Sequence, residues 1–328
     1  MINRNLDTAV VGRGDEASRN LVDALIDEAR GLGATEVCMQ GPPPVGAPDN
    51  GYLALVRAIT ARAPDIHLHA FRPPEIIDGA NRLGISPRTF LEAAKESGLD
   101  SVPGTAALIL DDEVRAVLPG RPDLPVVTWI DLIIAAHEIG LTSTATMVYG
   151  HVETPVQQVA HLRTLATIQD RTGGFTEFIP MPHVPRIAPA HLAEVARPGP
   201  TTRETRAVHA VARLMLHGRI NHVQGAWTKL GAGISQNVLC GGADDLGGLL
   251  LDGEVCPSAR QEAGLVLTIA DVKRLSTEIG RGTRQRSSSY GDPTLECAGT
   301  GLKAVYWRAD SSAKIHANTG SDCDTLGS

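Results

Sequence analysis

The chain has 328 residues, of which 42% are hydrophobic and only 3% aromatic, with 34 glycines and 21 prolines. This composition predicts one large aliphatic core of the size that α/β barrels have. The net charge of -7 and the sequence pI of about 5.9 argue against a nucleic-acid surface. No stretch has the roughly 20 apolar residues of a membrane span, so we expect a cytoplasmic protein that contacts neither a membrane nor nucleic acid.

Along the chain, predicted helices and strands alternate. Residues 1–15 show no clear period and predict an irregular N-terminal segment. Apolar residues at helical spacing then predict helices at 16–30, 51–63, 73–82, 87–97, 129–139, 155–171 and 203–217. Short apolar runs predict strands at 35–39, 66–71, 99–102, 141–148, 174–179 and 220–224.

This alternation is typical of parallel βαβ units and predicts a (βα) barrel over residues 16–285. Because the chain then opens on a helix, the sequence predicts that the first barrel strand is missing. No glycine-rich dinucleotide fingerprint follows any predicted strand, which argues against a Rossmann fold. Residues 286–328 are rich in Ser, Gly, Asp and Thr and predict a poorly ordered tail.

Chemistry in a (βα) barrel lies where the strands end and the βα loops begin. The sequence places polar or turn-forming residues at or near these points, and we take them as site candidates. They are Gln40, Gly41, His67, His69, Thr105, Thr146, His151, Glu177, Gln224, Lys229 and Asp245.

His67 and His69 stand two residues apart on a predicted strand, so both side chains point to the same face. Two imidazoles on one face can bind a divalent metal ion, as in metal-dependent hydrolase barrels. Such barrels use this pair on their first strand, whereas at least one predicted strand precedes it here. The alternative is that one or both rings contact a substrate or satisfy a buried hydrogen bond.

Other candidates also have two interpretations. Glu177 lies between apolar neighbours on a predicted central strand. Burial of a carboxylate costs free energy unless the carboxylate is paired. Glu177 therefore belongs either to a functional site or to a structural salt bridge. His151 precedes Thr154 and Pro155, which suit a helix start, so it faces the site or belongs to a capped turn. Asp245 lies in a ligand-binding loop or a turn into a helix, and Lys229 binds an anion or is an exposed lysine.

Several strings resemble one family, the radical-SAM subunit that joins tyrosine to a ribitylaminouracil in deazaflavin (FO, coenzyme F-420) synthesis, found in some actinobacteria as the C-terminal half of a fused FO synthase. The resemblance covers residues 16–290. The strings are GATEVCMQG (33–41), DIHLHAF (65–71), GLDSVPGTAA (98–107), TATMVYGHVETP (144–155), HLRTLATIQDRTGGFTEFIP (161–180), ARPGPT (196–201), GADDLGG (242–248) and GRGTRQRSSSY (280–290).

The resemblance implies a radical-SAM TIM-like barrel with a 4Fe-4S cluster that cleaves S-adenosylmethionine to a 5′-deoxyadenosyl radical. It implies L-tyrosine and 5-amino-6-ribitylaminouracil as substrates and FO synthase subunit 1 as a companion. It also implies catalytic, SAM-side and substrate-binding roles. The catalytic roles fall on Glu177 and His151. The SAM-side roles fall on Gln40, Gly41, Thr105 and Thr146. The substrate-binding roles fall on His67, His69, Gln224, Lys229 and Asp245.

The chain departs from the family where cluster and SAM would bind. It has five scattered cysteines and no C-x-x-x-C-x-x-C loop, Pro42 follows Gly41, and Leu108 replaces a carboxylate. We therefore expect an N-terminally truncated relative without a cluster of its own. Three hypotheses remain: a transferase by descent, a non-catalytic barrel or partner of a cluster-bearing subunit, and a metal hydrolase that uses His67 and His69.

Overall fold

Strands alternate with helices through most of the computed structural model, which describes residues 1–118, 124–188, 190–250 and 267–293. The strands are β1 Ile2–Asp7, β2 Glu36–Gln40, β3 His67–Ala70, β4 Ser101–Val102, β5 Thr142–Tyr149, β6 Phe175–Pro182 and β7 Leu249–Leu250. The helices are α1 Thr8–Val11, α2 Glu16–Gly31, α3 Gly51–Arg62, α4 Pro73–Leu83, α5 Pro87–Glu96, α6 Asp112–Val117, α7 Val126–Glu138, α8 Pro155–Thr172, α9 Thr202–Leu216, α10 Trp227–Leu239 and α11 Ile269–Glu278.

The strands form one parallel sheet in the order β6-β5-β4-β3-β2-β1-β7. Two further bridges, Phe178 to Val223 and Gln224 to Asp245, continue the sheet beyond β6. Because the segment that contains Asp245 runs on into β7, the ring of backbone pairing closes. The predicted (βα) barrel is therefore confirmed.

The first strand is present, contrary to the prediction of an irregular segment at residues 1–15 and a missing strand. β1 pairs with β2 from Asn3 to Asp7 and with β7 at its start. Its outward face carries Arg4, which is buried and forms an ion pair with Glu28 of α2. This buried cation interrupts the apolar alternation by which a strand is recognised in a sequence.

The helices pack around the sheet through the apolar positions that predicted them. On α2 the buried face carries Val22, Leu25, Ile26 and Ala29. α8 begins as the sequence predicts: Thr154 accepts a hydrogen bond from the Gln157 amide, and Pro155 takes the first helical position. It ends at Gly173, whose φ of 66° is left-handed.

Three further predictions are corrected. Residues 220–224 contribute only bridges, not a full strand. Helices α1, α6, α10 and α11 were not predicted. Residues 286–293, which the sequence assigned to a poorly ordered tail, pack against the barrel through contacts of Arg286 and Tyr290 with Asp245. The rest of that predicted tail, 294–328, lies outside the described residues.

Candidate functional site

Polar side chains face the interior of the barrel near the amino ends of its strands. Arg4 points outward to α2, and alternate residues of a strand point to opposite faces, so Asn3 points inward. The register places Asn3 beside Glu36, Glu36 beside His67, and His69 beside Ser101. We call this group the floor cluster; its members are Asn3, Glu36, His67, His69, Ser101, Glu177, Gln224, Asp245, Arg286 and Tyr290.

The two histidines of β3 share one partner. His67 Nε2 lies 2.6 Å and His69 Nδ1 2.7 Å from the Ser101 hydroxyl oxygen. One hydroxyl donates to one ring and accepts from the other, so both rings can be satisfied while neutral. Burial lowers the pKa of His69 to about 4 and also lowers that of His67. In the described part of the chain no group of three or more His, Cys, Asp or Glu side chains could hold a metal ion, which leaves the hydrolase hypothesis without support.

Glu177 is held through a single carboxylate oxygen. Its Oε2 lies 2.9 Å from Gln224 Nε2, 2.8 Å from the Tyr290 hydroxyl and 3.2 Å from Arg286 Nη2. Asp245 Oδ2 lies 2.6 Å from the same hydroxyl and 2.5 Å from Arg286 Nε. The candidates Glu177, Gln224 and Asp245 therefore come together, joined by two residues that the sequence assigned to the tail.

The Tyr290 ring is fixed on both faces. It stacks on His222 at 3.6 Å between ring centroids, and the Arg286 guanidinium lies 3.9 Å from its centroid. Its φ of 64° is left-handed, which a non-glycine residue adopts only where its surroundings hold it. The segment around Tyr290 is thus a built part of the barrel floor.

The pKa values of the Glu177 and Asp245 carboxyl groups shift in opposite directions. Burial raises the pKa of Glu177 to about 7, and Arg286 only partly offsets this. Asp245 is buried too, but Arg286, Tyr290 and the Gly247 amide outweigh its desolvation and lower its pKa. The Tyr290 hydroxyl has one proton for two carboxyl oxygens, so a protonated Glu177 can donate to it while it donates to Asp245.

The raised pKa of Glu177 predicts that the stability of the fold depends on pH. Unfolded glutamate releases its proton near pH 4.5, whereas folded Glu177 keeps it to about pH 7. The folded state binds the extra proton, so this group's contribution to stability falls as the pH rises through that window. Since Glu177→Gln stays neutral, we expect its free energy of unfolding to gain roughly 1–3 kcal/mol on wild type between about pH 5 and pH 8.

Urea denaturation at several pH values measures this difference. Comparing variant with wild type cancels the opposite contribution of buried neutral histidines such as His137 and His161, whose pKa values burial lowers to about 4 and about 3. Glu96→Gln, on the exposed end of α5, is the matched control and should show no pH-dependent difference. A flat difference for Glu177→Gln as well would show that Glu177 is ionised throughout.

The SAM-side candidates lie at the other end of the barrel, where the strands terminate; we call this end the rim. The Gly41 amide donates to Glu75 at 2.7 Å. The Thr146 hydroxyl donates to the Gly104 carbonyl at 2.8 Å and so holds the turn after β4. The Thr105 hydroxyl is buried without a hydrogen-bond partner. Gln40 ends β2 beside Asp7, and the SAM-side roles of these residues stay predictions.

His151 uses both ring nitrogens within its own loop. Its Nε2 donates to the Val148 carbonyl at 2.9 Å, and its Nδ1 accepts from the Val152 amide at 2.7 Å. Glu153 accepts from the amides of Gly150 and His151 and thereby closes the loop. Here His151 shapes the rim, and its catalytic role stays a prediction. Lys229 lies half-buried in the first turn of α10.

The sequence is similar to those of a tyrosine transferase and of several FO synthases. The chain is 40% identical over 264 residues to the 5-amino-6-(D-ribitylamino)uracil–L-tyrosine 4-hydroxyphenyl transferase of Methanothermobacter thermautotrophicus, covering 80% of this chain and 71% of that protein. The chain belongs to this transferase family. No family model matches the chain.

FO synthases share the same region. The identity is 52% over 263 residues with that of Mycobacterium tuberculosis and 47% over 269 residues with that of Streptomyces avermitilis, or 80% and 82% of this chain. The chain spans 31% of the length of each, about a third.

Two solved structures show the same fold at low identity. Methylornithine synthase (PylB) has a TM-score of 0.57 at 14% identity, covering 87% of this chain and 84% of that one. HydG, a maturase of the [FeFe]-hydrogenase, has a TM-score of 0.53 at 11% identity, covering 74% of this chain and 56% of that one. Within the described ranges no helix is both long and apolar enough to cross a membrane.

The described residues do not fit the 4Fe-4S cluster that the family implies. Such a cluster needs several cysteine thiolates in one place. The loop after β1 holds α1, capped by Asp7, and residues 8–15 contain no cysteine. Cys38 lies within β2, while Cys240 is an exposed residue at the end of α10. The other three cysteines, at 256, 297 and 323, lie outside the described residues and far apart in sequence.

Sequence reasoning missed half of the floor cluster. Asn3 lies in the segment that was predicted to be irregular, and Arg286 and Tyr290 lie in the predicted tail. Glu36 and Ser101 lie at the starts of strands, whereas the site candidates were sought at the strand ends. One partial signal was available: Ile2 and Leu6 lie on the same face of an extended segment, although Arg4 between them interrupts the apolar alternation of a half-buried strand.

Proposed function

We propose that this chain acts at the tyrosine–ribitylaminouracil step of FO synthesis, as the barrel that binds the uracil substrate without an iron–sulfur cluster of its own. The observation that carries the proposal is the floor cluster, in which β1, β2, β3, β4 and β6 each direct at least one buried polar side chain inward. The interior of a (βα) barrel is usually packed with branched apolar side chains, so this polar interior is a departure that calls for a role.

The chemistry of the relative's substrate supports this proposal. A ribitylaminouracil is neutral and rich in N–H and O–H groups, and carboxylates, amides and neutral imidazoles accept hydrogen bonds from such groups. L-tyrosine, the second substrate in the relative's name, is its partner in the proposed reaction. The Thr105 hydroxyl, buried and unpartnered, is the candidate contact for SAM or tyrosine at the rim.

In this proposal the radical is generated by another protein. A cluster-bearing protein, with a companion of the FO synthase subunit 1 type as the first candidate, would supply it. The lack of clustered thiolates among the described residues favours this division of labour over a self-sufficient transferase.

Anaerobic reconstitution with iron and sulfide tests the proposal when the Methanothermobacter relative is treated in parallel. We expect iron and cluster absorbance near background for this chain and stoichiometric iron in the relative. Both proteins should bind 5-amino-6-(D-ribitylamino)uracil in calorimetry. A full cluster in this chain, with product formed from tyrosine and SAM, would show a complete enzyme, and absence of uracil binding would remove the proposed role.

A further inference from the structure

Above the floor cluster the barrel interior is open to solvent. The inward-facing side chains of β1 and β2 become more exposed towards the rim. Asn3 and Glu36 at the floor are 6% and 7% exposed, whereas Asn5 and Cys38, the next inward positions, are half-buried. We call the space above the floor the upper cavity. Half-buried inward residues also line it on the opposite strands β5 and β6, at Val148, Ile179 and Met181.

The exposure of Cys38 comes from inside the barrel. The outward-facing residues of β1 and β2, Leu6, Val37 and Met39, are 0% exposed. β2 is paired with β1 on one side and with β3 on the other, so its backbone presents no open edge. Because the floor cluster is itself buried, solvent reaches Cys38 through the rim, where ligands of (βα) barrels enter.

An unpartnered acceptor lies directly below the upper cavity. The Asn3 Nδ2 donates to Glu36, while the Asn3 Oδ1 is buried without a hydrogen-bond partner. Asn3 and Asn5 stand two residues apart on β1, so their side chains point to the same face. Buried polar atoms are rarely left unpaired, so this oxygen indicates that a hydrogen-bond donor belongs in the space above it.

The wall above this acceptor suits a planar polar ring. Asn5 pairs with Cys38 in the register of β1 and β2, which places an amide beside a thiol. The amide both donates and accepts hydrogen bonds, as the edge of a uracil ring does. The thiol is small and largely apolar, and so it suits the face of such a ring.

We propose that the uracil ring lies against Asn5 and Cys38 in the upper cavity, so that the bound ligand covers the Cys38 thiol. This inference rests on the proposed function and adds the position of the ring within the barrel. An N–H group of the ligand directed towards the floor supplies the donor that the Asn3 Oδ1 lacks.

Alkylation by iodoacetamide tests this position on the iron-free wild-type chain. Calorimetry first measures the Kd of 5-amino-6-(D-ribitylamino)uracil. Mass spectrometry then follows the alkylation of Cys38 with and without this compound at about ten times its Kd. We expect the rate at Cys38 to fall about 10-fold, because only the unliganded fraction reacts. Cys240, exposed at the end of α10, is the internal control and should react at an unchanged rate.

Two variants assign the effect to the wall. Cys38→Phe places a larger side chain where the ring would lie and should weaken binding at least about 10-fold. Asn5→Ala removes the amide and should weaken binding about 10-fold. Cys240→Phe and Asn81→Ala, at exposed positions of α10 and α4, are the matched controls and should bind like wild type. Circular dichroism checks that each variant is folded, and the wild-type alkylation experiment stands without them.

The outcomes separate this inference from the function on which it rests. If the uracil compound does not bind, the proposed function fails and the position of the ring fails with it. If it binds while Cys38 reacts at an unchanged rate, the function stands and the position is wrong. Equal slowing at Cys38 and Cys240, or protection of Cys38 by L-tyrosine and not by the uracil, would also overturn the position. A Cys38 that reacts only in the denatured chain would show that the upper cavity is closed.

Discussion

Replacement of Arg286 by methionine should lower the free energy of unfolding by about 3–5 kcal/mol, the cost of leaving buried charge without its partner. Arg286 contacts Glu177 and Asp245, and its side chain is only 7% exposed. Methionine fills much of the volume but leaves Asp245 without its cation and removes a donor from Glu177. Urea denaturation monitored by circular dichroism measures the change.

Arg284→Met is the control for this experiment. Arg284 lies two residues earlier, is 68% exposed and makes only a 3.5 Å ion pair with Asp292. Exposed pairs contribute little, so the expected change is within about 0.5 kcal/mol. Equal small effects for the two variants would mean that residues 286–293 do not hold the barrel floor.

Replacement of Gly104 by alanine should destabilise the fold by about 3 kcal/mol, at the upper end of overpacking costs. A Cβ at residue 104 would lie 1.9 Å from the Thr144 carbonyl oxygen. The turn cannot move aside freely, because the Gly104 amide donates to Thr144 and its carbonyl accepts from Thr146. The same denaturation experiment measures the loss.

Gly233→Ala in α10 is the matched control, because a Cβ there meets no atom within 4 Å. Alanine is the better helix former, so stability should stay the same or rise by up to about 1 kcal/mol. A Gly104→Ala variant as stable as Gly233→Ala would contradict the tight contact between the β4 turn and β5.

The barrel could be predicted because most of its helices and strands have clear periodic patterns of apolar residues in the sequence. The apolar face of α2 and the capping of α8 are local signals, and the structure places both helices within a residue or two of the prediction. β1 was missed because its outward position 4 holds an arginine whose partner, Glu28, lies on a helix 24 residues away. No local pattern reveals such pairing.

Only half of the residues of the floor cluster could be predicted from the sequence, for a similar reason. Glu177 drew attention as a charge among apolar neighbours, and Gln224 and Asp245 as polar residues near strand ends. Arg286 and Tyr290 sit in a Ser-rich segment without periodicity, and their contacts with Glu177 span 109 and 113 residues. Only the folded chain brings such distant groups together.

The presence of β1 changes the interpretation of the missing cysteines. The sequence predicted that the first strand is missing and that the chain is an N-terminally truncated relative without a cluster of its own. The structure instead contains a first strand, and the loop that follows it, residues 8–15 with α1, holds no cysteine. The absence of the cysteine motif therefore does not follow from a missing first strand.

The central claim is that the barrel binds its uracil ligand without a cluster. Its most direct test is calorimetric titration of 5-amino-6-(D-ribitylamino)uracil into two preparations of the chain, one iron-free and one treated anaerobically with iron and sulfide. We predict one binding site and the same Kd in both, with no cluster absorbance in either. Binding that occurs only in the treated preparation, together with cluster absorbance, would contradict the claim.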